Sequence, residues 1–251
     1  MKPRIAIPQP VSGNPDFCAR AVPHYHTAVE RAGGEPVSIS LDLDNHQIAR
    51  LTTTCDAVLL PGSPADINPE RYGVPREPHT APSDAARDNV DEILLHDAYN
   101  MHKPIFGVCF GLQALNVWRS GTLIQHLDTA VRHTHQKNEP DARHRITLVP
   151  ASRLARILGT ADLTVNSSHH QAAGVVGDGL MAVAVSPEDK VIEALEGVAP
   201  DHWVVAVQWH PERLPDDPAA QALFRAFIEA ARQRGMHPRT TTLDFESLLR
   251  K

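Results

Sequence analysis

Cys109, His210 and Glu212 are the residues in this chain whose types and surroundings could together do chemistry. A cysteine nucleophile needs a base, and the base needs something to orient it. Cys109 lies in Pro104-Ile105-Phe106-Gly107-Val108-Cys109-Phe110-Gly111-Leu112-Gln113, an apolar run leading into Gly-x-Cys-x-Gly. The residues behind it, Leu112 to Trp118, lack Gly and Pro and suit a helix. The pattern therefore predicts strand, sharp turn and helix with the sulfur at the turn, and the flanking glycines remove Cβ atoms that would crowd a strained backbone. A sulfur at a helix N-terminus also feels partial positive charge, which favours thiolate. Taken alone, the stretch fits a small buried core cysteine equally well.

The base comes from Gln208-Trp209-His210-Pro211-Glu212. Pro211 biases His210 toward an extended backbone, in which residues two apart face the same side. His210 and Glu212 are thus expected to face one cavity, with Glu212 fixing the tautomer of the imidazole and its other nitrogen turned to Cys109. His-Pro-Glu by itself also fits a surface turn after a buried strand. An unperturbed thiol, with a pKa near about 8.5, is only a few per cent ionised at neutral pH, so a cationic neighbour matters. The backbone N–H groups near Gly62 and Ser63, and that of Phe110, are the candidate oxyanion donors.

The elements needed to hold these residues follow from the pattern. Ile5–Ile7, Pro36–Ile39, Ala57–Leu60 and the run before Cys109 read as strands. Between them, helical spacing appears from His24 to Ala32, from Asn45 to Leu51, and after a cap at Ser83 or Asp84. Alternation of this kind implies right-handed crossovers and an open, mostly parallel sheet flanked by helices, with ligands at the carboxyl ends of the strands. Both Pro61-Gly62 and Cys109 follow strands at that edge. After Trp118 strands dominate, at Ile146–Val149, Leu163–Val165, Leu180–Val185, Val191–Leu195 and Trp203–Trp209, which predicts an antiparallel β addition. A last helix follows Asp216-Asp217-Pro218 and ends at Gly235. One α/β domain over residues 1–236 is expected, with 237–251 a tail or docking segment.

Composition narrows the class. At 251 residues with 42% hydrophobic content and no long apolar run, the chain reads as a soluble protein with no membrane association. The N-terminus has no secretory pattern, and three cysteines without CxxC spacing point to a reducing compartment, so a cytoplasmic location is expected. The net charge of −6 carries no Lys/Arg block, which argues against nucleic acid as a partner. Among 15 histidines the densest group is His133-Thr134-His135 with His126 and His144. It lacks a motif such as HExxH and falls mostly in a polar stretch that reads as surface loop, so no metal site is assigned there.

Several motifs in order carry a resemblance. Gly-Val-Cys-Phe-Gly-Leu-Gln at Cys109, Val-Gln-Trp-His-Pro-Glu at His210 and Glu212, and Leu-Leu-Pro-Gly-Ser-Pro at Gly62 and Ser63 resemble a class I glutamine amidotransferase-like hydrolase. More narrowly, the chain resembles the γ-glutamyl-γ-aminobutyrate hydrolases, supported by Ser63 to Pro69, Arg87-Asp88, Asn116-Val117 and Val165 to Gln171. The resemblance implies a flavodoxin-like fold and hydrolysis of a γ-glutamyl amide through a thioester on Cys109, with no metal or organic cofactor. It implies Gln113, Ser168, His169 and His170 as substrate-binding residues, although a buried histidine pair bonded to backbone is an equal reading of His169 and His170. The chain departs from the family at Phe110, where Arg is usual, so any substrate contact made by that side chain would be lost. Two other readings are a glutaminase supplying a separate synthetase and a catalytically silent γ-glutamyl-ligand binder. A homodimer is a further expectation, motivated by the resemblance and the unplaced C-terminal segment.

Overall fold

The computed structural model describes residues 1–134 and 141–236, so His135 and the expected tail at 237–251 lie outside the described residues. In chain order the elements are β1 (Arg4–Pro8), α1 (Pro15–Arg31), β2 (Glu35–Ile39), α2 (Asn45–Thr53), β3 (Ala57–Leu60), α3 (Ala85–Asn100), β4 (Ile105–Val108) and α4 (Phe110–Trp118). The second half adds β5 (Leu123–Ile124), β6 (Ala142–Leu148), α5 (Arg153–Leu158), β7 (Asp162–Ser167), β8 (Ala172–Ala173), β9 (Leu180–Val185), β10 (Ile192–Gly197), β11 (Val204–Val207) and α6 (Pro218–Met236).

Nine strands form one sheet in the order β2-β1-β3-β4-β11-β10-β9-β6-β7. The first five are parallel, and β10, β9, β6 and β7 continue the sheet antiparallel. This is the expected α/β architecture with its antiparallel addition. Alternation along β1 shows the layering: Ile5 and Ile7 pack under α1 and α6 with Val29, Phe224 and Phe227, while Ala6 faces α2 and α3 with Ile48, Val90 and Leu94. Both faces are covered, which is why β3, β4 and β11 read as continuous apolar runs. Among the described residues no helix is long and apolar enough to cross a membrane.

Local chemistry sets the boundaries. Asp44 and Gln47 form a reciprocal capping box at α2, and Asp84 caps α3 by accepting from the Ala86 and Arg87 amides at 3.1 Å. Helix α1 begins at Pro15, nine residues before the predicted His24, with Asn14 accepting from the Phe17 amide at 3.0 Å. Pro23 lies inside it, and inward packing of Tyr25 and Val29 keeps the helix continuous through the lost backbone bond. The sequence did not announce α5: it has only six residues, too few for a periodic signal, and owes its ends to Ser152 and to Gly159 at φ 69°.

Candidate active site

Strand β4 delivers Cys109 to the carboxyl edge of the sheet, where φ 53° and ψ −105° place it in a backbone conformation disfavoured for any residue but glycine. Its amide donates to the Val207 carbonyl at 2.8 Å and its carbonyl accepts from Leu112 and Gln113, so sheet and helix hold the strained turn from both sides. The flanking glycines act through close approach. A Cβ on Gly111 would lie 2.2 Å from the Leu60 carbonyl oxygen, and one on Gly107 would lie 2.9 Å from the Gly111 backbone. Helix α4 therefore seats directly on β3, and Cys109 is left 6% exposed at its N-terminus.

His210 follows β11, the strand beside β4, and its Nδ1 lies 2.8 Å from Glu212 Oε1. The segment is not extended as predicted: Pro211–Arg213 forms a 3-10 turn, because Pro211 supplies a helical φ as readily as an extended one. The turn still brings the carboxylate to the imidazole. Burial opposes the charged form of His210, but the charges of Glu212 and then Cys109 outweigh it and raise its pKa to about 9. Burial also acts to raise the Glu212 carboxyl, and the His210 cation overrides it, holding the pKa below the usual carboxylate range. Among the described residues His210 Nε2 has no partner at ordinary hydrogen-bond distance, and Cys109 lies near enough to help raise its pKa. A Cβ placed on Gly62 would stand 3.0 Å from His210 Cε1 and 3.6 Å from Cys109 Cβ, so imidazole, thiol and the Gly62 backbone meet at one point.

Two side chains that the sequence reading did not single out as site residues position this group. Asn166 brackets the His210 backbone, donating from Nδ2 to its carbonyl at 2.9 Å and accepting from its amide at 3.3 Å. Arg87 is fully buried on α3; it donates to the Pro10 carbonyl at 2.9 Å and the Pro61 carbonyl at 2.8 Å, and pairs with Asp91 at 2.7 Å. It thereby ties the loops after β1 and β3 together. Both lie in segments of the family resemblance, but only the fold shows which backbone groups they hold.

The Gly62 amide is engaged, which corrects its expected part as an oxyanion donor. Its single hydrogen is donated to Tyr25 Oη at 2.9 Å, and Tyr25 is itself buried beneath the loop. Ser63 is then the donor candidate on this loop. Phe110 stands in the first turn of α4, where backbone N–H groups have no intrahelical acceptor, and is the other candidate.

Cys109 opens onto a cavity of about 250 Å³ lined by Ser63, Asp66, Gln113, Ser168, His169 and His170, among others. All four residues expected to bind substrate are thus brought beside the nucleophile. His169 satisfies both readings: it lines the cavity while its Nδ1 sits 2.9 Å from the Gln171 carbonyl oxygen. His170 pairs through Nε2 with buried Asp66 at 3.0 Å. The Phe110 side chain is elsewhere. It is 1% exposed, packs with Ile67, Ala114 and Val117, and lies under the Arg87 guanidinium at 4.7 Å from the ring centre, so the Phe110 ring is part of the packing under α4 and does not line the cavity. The expectation of a surface loop fails for His133 and His144, which are 2% and 7% exposed. Polar sequence was misleading because β6 turns alternate residues inward and the 133 segment packs behind it.

The Peptidase C26 family matches residues 11–212 of this sequence. The chain belongs to the peptidase C26 family. This C26 chain is 30% identical over 217 residues to the γ-glutamyl-γ-aminobutyrate hydrolase PuuD of Escherichia coli, covering 82% of this chain and 84% of that one. It is 36% identical over 211 residues to a Mycobacterium tuberculosis protein assigned as a glutamine amidotransferase, covering 82% and 66%. Among solved structures, a Thermoplasma acidophilum protein assigned as one subunit of GMP synthase superposes with a TM-score of 0.64 over 100% of this chain and 99% of that one. At 12% identity, that last likeness bears on the C26 fold alone.

Proposed function

We propose that this C26 protein hydrolyses a γ-glutamyl amide, with Cys109 as nucleophile, His210 as acid and base, and Glu212 orienting His210. The observation that carries the reading is the strained placement of Cys109 at the start of α4, beside a buried His210 whose Nδ1 is held by Glu212. The Cys109 thiolate attacks the γ-carbonyl carbon, and the oxyanion that forms is met by the Phe110 and Ser63 N–H groups. The C–N bond then breaks as His210 Nε2 gives its proton to the leaving amine. Water, deprotonated by His210, attacks the thioester; the C–S bond breaks, glutamate leaves, and the thiolate is regenerated beside imidazolium.

The polar cavity is of a size for a small γ-glutamyl compound, and the PuuD relative supports that substrate class. The test is turnover of a panel of γ-glutamyl amines, including glutamine itself. Wild type is expected to cleave at least one of them, with activity lost in Cys109→Ala and Cys109 alkylated by an electrophilic glutamine analogue. No turnover across the panel by wild type would sink the reading. Turnover confined to glutamine would replace it with a glutaminase.

A further inference from the structure

Behind His169 lies a second group of buried titratable side chains that the proposed hydrolysis does not use. Glu193 on β10 is 0% exposed, and its Oε1 is 3.0 Å from His144 Nε2, 3.4 Å from His133 Nδ1 and 3.7 Å from His169 Nε2. The ligand-capable atoms of His133, His144 and Glu193 all lie within 4.8 Å of one another. Three imidazoles from separate parts of the chain therefore converge on one carboxylate oxygen.

The outer hydrogen bonds of His133 and His169 fix what these two rings present to that point, while His144 Nε2 itself hydrogen-bonds Glu193 Oε1 at 3.0 Å. His133 Nε2 lies 2.8 Å from Asp189 Oδ2, an oxygen that also accepts from the Thr129 hydroxyl at 2.7 Å. A carboxylate can only accept, so His133 carries a hydrogen on Nε2, and the neutral ring turns a bare Nδ1 inward. His169 Nδ1 faces the Gln171 carbonyl oxygen at 2.9 Å, which likewise can only accept, so the neutral His169 ring turns a bare Nε2 inward. Both lone pairs point toward Glu193 Oε1, another acceptor. Among the described residues, buried His133 Nδ1, His169 Nε2, Glu193 Oε2 and the outer His144 Nδ1 have no hydrogen-bond partner. Acceptors facing acceptors in a dry interior repel unless a positive charge, a ring proton or a metal ion, lies among them.

Anchoring the outer N–H of an imidazole to a carboxylate or a backbone carbonyl is how proteins aim histidines at metal ions. The spacing agrees around the carboxylate oxygen, within a set of ligand atoms spanning at most 4.8 Å. Bonds of about 2.0–2.1 Å in a tetrahedron put ligand atoms roughly 3.3 Å apart, against the 3.0 to 3.7 Å found around Glu193 Oε1.

We propose that His133 Nδ1, His144 Nε2 and Glu193 Oε1 bind a divalent late transition-metal ion of the zinc class, with His169 Nε2 closing the coordination shell after a modest ring rotation. Three imidazoles and one carboxylate leave no position open to substrate, so the ion is structural. It ties β6, β10, the 133 segment and the 168–171 segment together, reinforcing the bonds that the His169 amide and the Ser167 hydroxyl give to the His133 carbonyl at 2.9 and 3.0 Å. The ion thus braces one wall of the substrate cavity while taking no part in the chemistry.

The test uses the full chain without an affinity tag, in the Cys109→Ala background so that the nucleophile cannot act as a competing ligand. After chelator stripping and dialysis, the protein is titrated with Zn²⁺ by calorimetry and with Co²⁺ by visible absorption, and its Tm is measured with and without Zn²⁺. The expected result is about one ion per chain, d–d bands of tetrahedral intensity and a Tm raised by Zn²⁺. His144→Asn and Glu193→Gln, checked for native fold by circular dichroism, are expected to bind at least ~100-fold more weakly. Absence of both stoichiometric Zn²⁺ uptake and tetrahedral Co²⁺ bands in the parent protein overturns the proposal, whatever the other variants do. Undiminished uptake in both folded variants overturns it equally. Neither readout depends on which amide the enzyme cleaves.

Discussion

The Glu212 carboxylate and the Cys109 sulfur together keep His210 cationic in a site where burial alone would make it neutral. Replacing Glu212 by Gln removes the larger of these two supports while keeping the shape. The imidazole is then expected to titrate lower, shifting the basic limb of the pH–rate profile down by roughly one unit or more and reducing kcat by about 100-fold or more. A profile unmoved in Glu212→Gln would falsify the orienting role. Asn166 acts one step back: it grips the His210 backbone rather than its ring. Asn166→Ala should therefore lower kcat through misplacement, with the basic limb left where it was, a contrast that steady-state pH profiles of the two variants can read.

At the scale of elements, the seat of α4 on β3 decides whether the elbow can exist. Gly111→Ala would place its Cβ 2.2 Å from the Leu60 carbonyl oxygen, and backbone rather than a flexible side chain would have to yield. A loss of about 2 kcal/mol or more is expected in urea unfolding, accompanied by loss of activity as Cys109 shifts. Arg87 plays the matching part for the loops. Arg87→Met leaves buried Asp91 and two carbonyls without a donor, and should cost about 3–5 kcal/mol. Arg87→Lys is not expected to rescue it, because one ammonium cannot reproduce the planar fork that reaches Pro10, Pro61 and Asp91 together. Equal stability of the Lys variant and wild type would show that the fork is dispensable.

For the whole molecule, the buried pair makes stability depend on pH in two directions. The folded His210 pKa, about 9, exceeds its unfolded value near 6.5. Its contribution is thus complete below about 6.5 and is lost as pH rises through about 9. Glu212 has a lowered folded pKa, so its contribution holds above its unfolded value and is lost as pH falls through the lowered one. The stability gap between wild type and His210→Asn, measured by urea unfolding, should therefore shrink between pH 6 and pH 10. A constant gap would mean that the His210 pKa is the same in the folded and unfolded protein.

The sequence by itself determined the parallel half of the sheet, because alternating apolar runs and capped helical segments report covered faces directly, as at Ala57–Leu60 and Asp84. It also named Cys109, His210 and Glu212, since Gly-x-Cys-x-Gly and His-Pro-Glu are local patterns with local physical meaning. What it could not show was any relation carried by distance along the chain. The engagement of the Gly62 amide by Tyr25 spans 37 residues, the grip of Asn166 on His210 spans 44, and the approach of His144 to Glu193 spans 49. The same holds for Phe110, whose place after the nucleophile pointed toward the substrate, while packing turned its ring under Arg87. Side-chain type and short spacing are properties of the sequence, whereas which buried donors meet which acceptors is decided only when strands from both halves enter one sheet.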